Sequence, residues 1–242
     1  MQTETLAFEE QKVMERRYAI PYNWCHKKYT RHWRGKNGLR TIVLRLLGDV
    51  SDKIVLDAGC GDGWYTAKIA DQARQTIGID FSERSVGFAR LIVPQATFEV
   101  GSITNIPLPP ESVDALVSIQ VIEHLPPDQV VQAVKELARV LRPNGTAIIS
   151  VPSTVRKMST AHFQHFTPHS LRKIMTPSFE IISMVGQERR TWVLYFLEKC
   201  IENRLWYLPN IGARFGKGAF LKYWNETTAE RGQNLVFLCK KR

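Results

Sequence analysis

Val55-Leu56-Asp57-Ala58-Gly59-Cys60-Gly61-Asp62-Gly63-Trp64 is the stretch on which the reading of this chain turns. Its apolar start, with Ile54 before it, suits a buried strand of a parallel sheet. The run ends in an acid and passes into a loop with glycine at every second position, after which a helical pattern begins. Glycine lets the backbone turn sharply and lets a ligand approach with no Cβ in the way. A helix that starts after such a loop offers N–H groups without intrahelical partners. This is the layout of a nucleotide-type pocket at the carboxyl end of a first strand.

The glycine spacing is G-x-G-x-G, not G-x-G-x-x-G. A second apolar run, Thr76-Ile77-Gly78-Ile79, ends in Asp80. That acid falls about twenty residues past the loop, where a ribose-binding carboxylate belongs in such folds. No Lys-Ser/Thr pair follows the glycines, so a Walker-type phosphate loop is excluded. Asp57, Asp62 and Asp80 would repel a pyrophosphate, whereas a cationic, phosphate-free nucleoside fits them.

Outward from the loop, strands are expected at 53–58, 75–80, 96–100, 113–119, 144–151, 179–185 and 235–240, and helices at 64–73, 83–92 and 128–141. Strands alternating with helices predict an α/β domain with a mostly parallel sheet covered on both faces. Ser82 is placed to cap the helix that starts at Glu83, Pro126-Pro127 to open the next, and Thr167-Pro168-His169-Ser170 to open one running to Met175. Residues 1–37 read as an N-terminal helical and aromatic segment, with a charged helix over 9–17 and the turn Tyr18-Ala19-Ile20-Pro21-Tyr22-Asn23-Trp24 as a lid or as plain packing. Residues 39–47 form the helix leading into the first strand. Residues 38–242 form the main domain, and 186–233 is too long for a structureless loop. Within it, Val193, Phe196, Leu197, Cys200, Ile201 and Leu205 recur at helical intervals, which predicts a helical insertion. It suits a substrate cap, a homodimer contact, a membrane-surface patch or ordinary packing.

The chain has 242 residues, 44% of them hydrophobic, enough to bury a full core. No apolar run is long enough to span a membrane, and the acidic N-terminus lacks the apolar region of a signal peptide. Cys25, Cys60, Cys200 and Cys239 are widely spaced with no C-x-x-C pair, which points to a reducing, cytoplasmic setting. The net charge of +10 suits nucleic acid, an anionic substrate or a solvated basic surface. Its densest run, 27–40, interleaves Tyr29, His32 and Trp33.

The runs VLDAGCGDGWYT, GID, SVDALVSIQVIEHL and ELARVLRPNGTAIISVP resemble, in order, the successive motifs of class I S-adenosylmethionine-dependent methyltransferases, of the methyltransferase-11 or ubiquinone-pathway-like group. The resemblance covers 53–152. It implies a Rossmann-like, seven-stranded sheet whose last two strands form a hairpin, with S-adenosylmethionine as cofactor. It also implies that Gly59, Cys60, Gly61, Asp62 and Gly63 run beneath the methionine and ribose, and that Asp57 holds the amino acid end. Asp80 would accept from both ribose hydroxyls, a task suited to an acceptor-only carboxylate. Phe81 and Ile103 would flank the adenine, and Gln120 would be among the cofactor-binding residues. Ser102 stands where many relatives have an acid, so the adenine contact departs from the pattern.

Methyl transfer from a sulfonium is an in-line displacement that the protein assists by alignment and preorganised charge. An oxygen acceptor also needs a base. Gln120-Val121-Ile122-Glu123-His124 follows the fourth strand, at the sheet edge where ligands bind, so Glu123 and His124 are candidates. His162-Phe163-Gln164-His165 follows the fifth strand, and His165 is preferred over His162 as base. The Q-x-x-E-H run resembles the metal-binding E-x-x-E-H pattern of ubiquinone-pathway and small-RNA 2′-O-methyltransferases. Gln120 replaces its first anionic ligand, so no metal is expected. The Y-x-x-P-Y-x-W segment resembles bacterial enzymes acting on sugars, glycolipids or secondary metabolites. An Asn-Pro-Pro-Tyr motif is absent after the fourth strand, which argues against base N-methylation. The expectation is a cytoplasmic enzyme O-methylating a small or medium-sized metabolite, sugar or lipid-linked acceptor. Its rivals are an RNA-modifying enzyme of the same fold and a cofactor-binding domain without catalysis.

Overall fold

The structure is a computed structural model that describes residues 19–25, 31–189 and 226–242. Its elements are α1 (Arg31–Leu47), β1 (Ile54–Ala58), α2 (Thr66–Ala70), β2 (Gln75–Asp80), α3 (Glu83–Ile92), β3 (Thr97–Val100), β4 (Val113–Ile119), a 3₁₀ turn (Ile122–His124), α4 (Pro127–Val140), β5 (Leu141–Pro152), α5 (Pro168–Met175), β6 (Phe179–Arg189), β7 (Glu226–Thr227) and β8 (Gly232–Lys241). The strands form one sheet in the order β3-β2-β1-β4-β5-β8-β6-β7. From β3 to β5 every pairing is parallel, and β8 enters antiparallel between β5 and β6. The expected count of seven strands becomes eight, because the two-residue β7 pairs with the far edge of β6 at Gly186 and Gln187.

The period-two alternation of a strand divides its side chains between two layers. Leu56 and Ala58 of β1, Leu116 of β4, Ile149 and Val151 of β5 and Phe237 of β8 face a layer with Val134 and Leu137 of α4 and Leu171 and Met175 of α5. Their neighbours Val55, Ala115, Val117, Ile148 and Val236 face Leu39, Ile42, Val43 and Leu47 of α1. The near-continuous apolar runs of β1 and β4 follow from this two-sided burial.

Several boundaries differ from the sequence expectation. Helix α2 is shorter than 64–73, because Gly63 sits at φ 79° and its left-handed turn delays the helix to Thr66. Strand β5 begins at Leu141 rather than 144, so Pro143-Asn144-Gly145 lies inside it, with Asn144 at φ 60° and a register irregularity opposite β4. Strands β6 and β8 pair as far as Arg189 and Gly232, so both ends of the expected 186–233 insertion join the sheet region. The helix expected over 192–206, Cys200, and the charged helix over 9–17 lie outside the described residues. The caps agree with expectation: Ser82 Oγ accepts from Ser85 N at 3.2 Å, and Thr167 and Ser170 form a reciprocal capping box. Among the described residues, no helix is long and apolar enough to cross a membrane.

One close approach sets a limit on β2. A Cβ on Gly78 would lie 2.5 Å from Phe98 Cδ1 and 3.0 Å from Cys60 Sγ. Phe98 packs with Cys60, Val86, Ala89 and Val93 and has no room to retreat. Gly78→Ala is expected to destabilise the fold by about 1–3 kcal/mol through overpacking. A urea denaturation midpoint unchanged from wild type would contradict this packing.

Candidate active site

The site lies where the parallel strands end. The amides of Gly59 and Cys60 both donate to the Ile79 carbonyl, at 2.7 and 3.0 Å, which stitches the glycine loop to the end of β2. Asp80 Oδ2 accepts from Gly61 N at 2.8 Å and Oδ1 from Ser82 N at 3.0 Å. This carboxylate therefore joins the loop to the start of α3. Gly59 sits at φ 84°, and a Cβ there would lie 2.3 Å from Val121 Cγ2. The segment after β4 is thus pressed directly onto the loop, and neither constraint admits a side chain at residue 59.

Two more carboxylates are buried close by, Asp57 in β1 and Asp62 in the glycine loop. Asp57 accepts from Thr66 Oγ1 at 2.6 Å. Burial pushes its carboxyl up to about 7, opposed by the Thr66 bond and reinforced by the neighbouring charge of Asp80. Asp62 accepts from the backbone and side-chain nitrogens of Asn23, each at 2.7 Å. Burial raises its carboxyl too, while the Asn23 bonds and Lys36 pull it back. Trp24 Nε1 donates to the Asp62 carbonyl at 2.9 Å, and Lys36, which donates to Asn23 Oδ1, lies 4.6 Å from the centre of the Tyr22 ring. The Tyr22–Trp24 turn is thereby fastened to the glycine loop across 39 residues of sequence.

At the end of β2 and after β3, Phe81 is half-buried and Ile103 is buried. Ser102 Oγ lies 2.7 Å from Thr104 Oγ1 and accepts from Thr104 N, so its hydroxyl is engaged in its own turn. Gln120 has the left-handed φ of 59°. Its side chain donates to Ser150 Oγ and accepts from Arg156 Nη1, each at 3.3 Å. Arg156 also reaches Asn234 Oδ1 at 3.3 Å, so β4, β5 and β8 share one polar patch.

The histidines assemble from two elements. Glu123 and His124 lie on the 3₁₀ turn after β4, and Phe163 N donates to the Glu123 carbonyl at 3.0 Å, drawing in the loop that follows β5. The His124 and His162 rings meet edge to face at 4.8 Å. His162 Nδ1 lies 2.8 Å from His165 Nε2, and His165 Nδ1 lies 3.2 Å from the Arg156 carbonyl. Both ring nitrogens of His165 are therefore engaged within the loop, and burial is the main cause that lowers its pKa. His162, ranked second by sequence, is the histidine brought to Glu123 and His124: ligand atoms of these three residues lie within 4.8 Å of one another. His169 is exposed on α5. Thr66, Asn23 and Arg156 escaped sequence reading as site residues. Thr66 had a signal in its place on the helix that follows the loop. Asn23 and Arg156 had none, because their partners are remote in sequence.

Residues 56–149 match the family model described as a methyltransferase domain. A probable S-adenosylmethionine-dependent methyltransferase of Mycolicibacterium smegmatis is 36% identical over 153 residues, 60% of this chain and 59% of that protein. A protein of the same description from Mycobacterium tuberculosis is 39% identical over 116 residues, 48% of this chain and 42% of its own length. The chain thus spans about half the length of these curated relatives. Among solved structures, the N-methyltransferase NodS from Bradyrhizobium japonicum, in complex with S-adenosyl-L-homocysteine, superposes with a TM-score of 0.64 at 16% identity, covering 96% of this chain and 98% of that one. The matched segment runs from the glycine loop through β5, the part of the sheet that carries the buried carboxylates. Residues 56–149 are therefore matched as a methyltransferase domain, and the chain around them is similar to S-adenosylmethionine-dependent methyltransferases.

Proposed function

We propose that this chain is an S-adenosylmethionine-dependent methyltransferase acting on a hydroxyl of a small or medium-sized metabolite, sugar or lipid-linked acceptor. The observation that carries the reading is the placement of Glu123, His124 and His162 two to three residues, or one loop, away from Val121, which packs on Gly59. A group able to take a hydroxyl proton thus stands next to the loop that would hold the cofactor. Imidazole titrates near neutral pH, as this task requires.

Bound at this loop, the cofactor supplies an electrophilic methyl on a sulfonium. The chain's own contribution is electrostatic and positional. Asp57 and Asp62 place negative charge where the ammonium and sulfonium charges lie. Asp80, already fixed by Gly61 and Ser82, retains lone pairs for the ribose hydroxyls. Cys60, Gly61 and Gly63 leave the backbone open to the ligand, Phe81 and Ile103 border the adenine, and Ser102 contributes through its turn. Gln120 stands between cofactor and acceptor. The Tyr22–Trp24 turn acts as a lid anchored at Asp62. His165 orients His162. Cys25, Cys60 and Cys239 are free thiols, which fits a reducing cytoplasm.

The +10 net charge favours a second reading, in which the acceptor is an RNA ribose hydroxyl. Transfer of a labelled methyl into a host extract, fractionated into RNA, protein, lipid and small molecules, separates the two. Label in small molecules or lipid supports the first reading, and label in RNA the second. Cofactor binding with no transfer into any fraction would leave a binding domain.

Asp80→Ala is expected to lose about 1.5–3 kcal/mol of cofactor affinity, the range for a hydrogen bond to a charged group. Isothermal calorimetry checks this, with circular dichroism confirming the fold, and unchanged affinity would overturn the assignment of Asp80. Asp57 gives a pH dependence with a definite sign. Its folded carboxyl keeps a proton up to about 7, whereas the unfolded chain releases it near the usual carboxylate value of about 4. The ligand-free fold therefore loses stability as pH rises between those values. Affinity for the cationic cofactor rises over the approach to pH 7 and levels off above it. Asp57→Asn is expected to flatten both profiles, measured by thermal melts and cofactor titrations across pH 5–9.

A further inference from the structure

We infer that Arg156 sets the acceptor specificity of this site, and that the acceptor carries an anionic group, a carboxylate or a phosphate, which the guanidinium grips. This assignment rests on the proposed hydroxyl transfer and gives a charge to the molecule that presents the hydroxyl. Arg156 lies in the loop after β5 and is half-buried. Its Nη1 donates to Gln120 Oε1 and to Asn234 Oδ1, each at 3.3 Å. Both partners are neutral amides, and among the described residues no carboxylate is paired with the guanidinium. Nε and Nη2 are not engaged among them either. Those two nitrogens form the edge that meets a carboxylate or a phosphate with two parallel bonds.

The guanidinium is held by a chain of bonds that runs in one direction. The Gly35 carbonyl can only accept, so Gln187 Nε2, 3.2 Å away, donates to it. Gln187 Oε1 then accepts from Asn234 Nδ2 at 2.6 Å, and Asn234 Oδ1 is left to receive Arg156. On the other side Gln120 Nε2 donates to Ser150 Oγ, which turns Gln120 Oε1 toward Arg156. Gln187 and Ser150 are fully buried, and Asn234 nearly so. Buried amides are costly unless satisfied, and a satisfied network fixes one geometry. A guanidinium that only met solvent would gain nothing from such a mount. Gln120 also holds the left-handed φ of 59°, which a non-glycine residue adopts at a cost and which clusters at ligand sites.

Two contacts bring this cation to the reacting end of the sheet. Gln120 precedes Val121, whose side chain is pressed onto Gly59 of the glycine loop. The Arg156 carbonyl lies 3.2 Å from Nδ1 of His165, the ring that meets His162. Arg156 thus touches the turn after β4 through its side chain and the histidine loop through its backbone. A half-buried positive charge with neutral partners attracts an anion more strongly than the same charge in water.

The test follows labelled methyl from the cofactor into the small-molecule and lipid fractions of a host extract, with wild type, Arg156→Gln and Arg156→Lys. Wild-type product is expected to be retained by an anion exchanger at pH 7. Retention lost after alkaline phosphatase assigns a phosphate monoester, and retention that persists assigns a carboxylate or a phosphodiester. At limiting extract, Arg156→Gln is expected to lower transfer about tenfold to a hundredfold, with the deficit shrinking as the extract is concentrated. Arg156→Lys falls between, because it keeps the charge and loses the fork. Calorimetric cofactor affinity is expected to be equal in all three, which shows that the loop is folded. A neutral product methylated on oxygen overturns the inference while the proposed function stands. So does a deficit in Arg156→Gln that no concentration of extract recovers, which marks a brace of the fold. A deficit matched by lost cofactor affinity overturns it too, by assigning Arg156 to the cofactor's own carboxylate. Anionic product with its methyl on nitrogen or carbon, and the same dependence on Arg156, keeps the anion contact and removes the hydroxyl reading. Label confined to RNA overturns both.

Discussion

Three carboxylates buried around the glycine loop, Asp57 in β1, Asp62 in the loop and Asp80 at the end of β2, are the constraint on which the rest of the site depends. Asp57, Asp62 and Asp80 are each nearly or wholly withdrawn from water. Uncompensated, such burial costs several kcal/mol per charge. Each acid is offset differently: Asp57 by the Thr66 hydroxyl and a raised pKa, Asp80 by two backbone amides, Asp62 by the Asn23 amide and side chain. The glycine loop, the first turn of α3 and the N-terminal turn are all enlisted to hold negative charge in place. What remains favours a cationic ligand.

The sheet makes this arrangement rigid. Parallel pairing of β1 with β2 and with β4 brings their carboxyl ends to one edge, and the loops after β1, β2, β4 and β5 meet there. Val121 against Gly59 couples the glycine loop to the turn that carries Glu123 and His124. Phe163 N on the Glu123 carbonyl couples that turn to the loop that carries His162 and His165. Two local contacts therefore connect the carboxylate loop with the histidine group. The polar patch of Gln120, Arg156 and Asn234 closes the same edge from the β8 side.

Much of the fold was legible in the sequence. Strands β1, β2 and β4 announce themselves as apolar runs because both their faces are buried, and α3 and α5 by caps whose chemistry is local. The boundaries that failed were those where a glycine or a bulge spends a residue on a turn, as at Gly63 and Asn144, or where pairing with a distant strand extends an element, as at β6 with β8. Such pairing depends on a partner many residues away and leaves no periodic trace.

The sequence by itself determined the α/β alternation, the glycine loop with its acids and the presence of histidines at the sheet edge, because spacing and residue type encode local geometry. Only the tertiary structure decided which histidine joins Glu123 and His124, how Asn23 reaches Asp62 and where Gln120 directs its amide. Those choices are made between segments whose relative position comes from sheet order and loop packing, and a single chain of letters carries no distance between them.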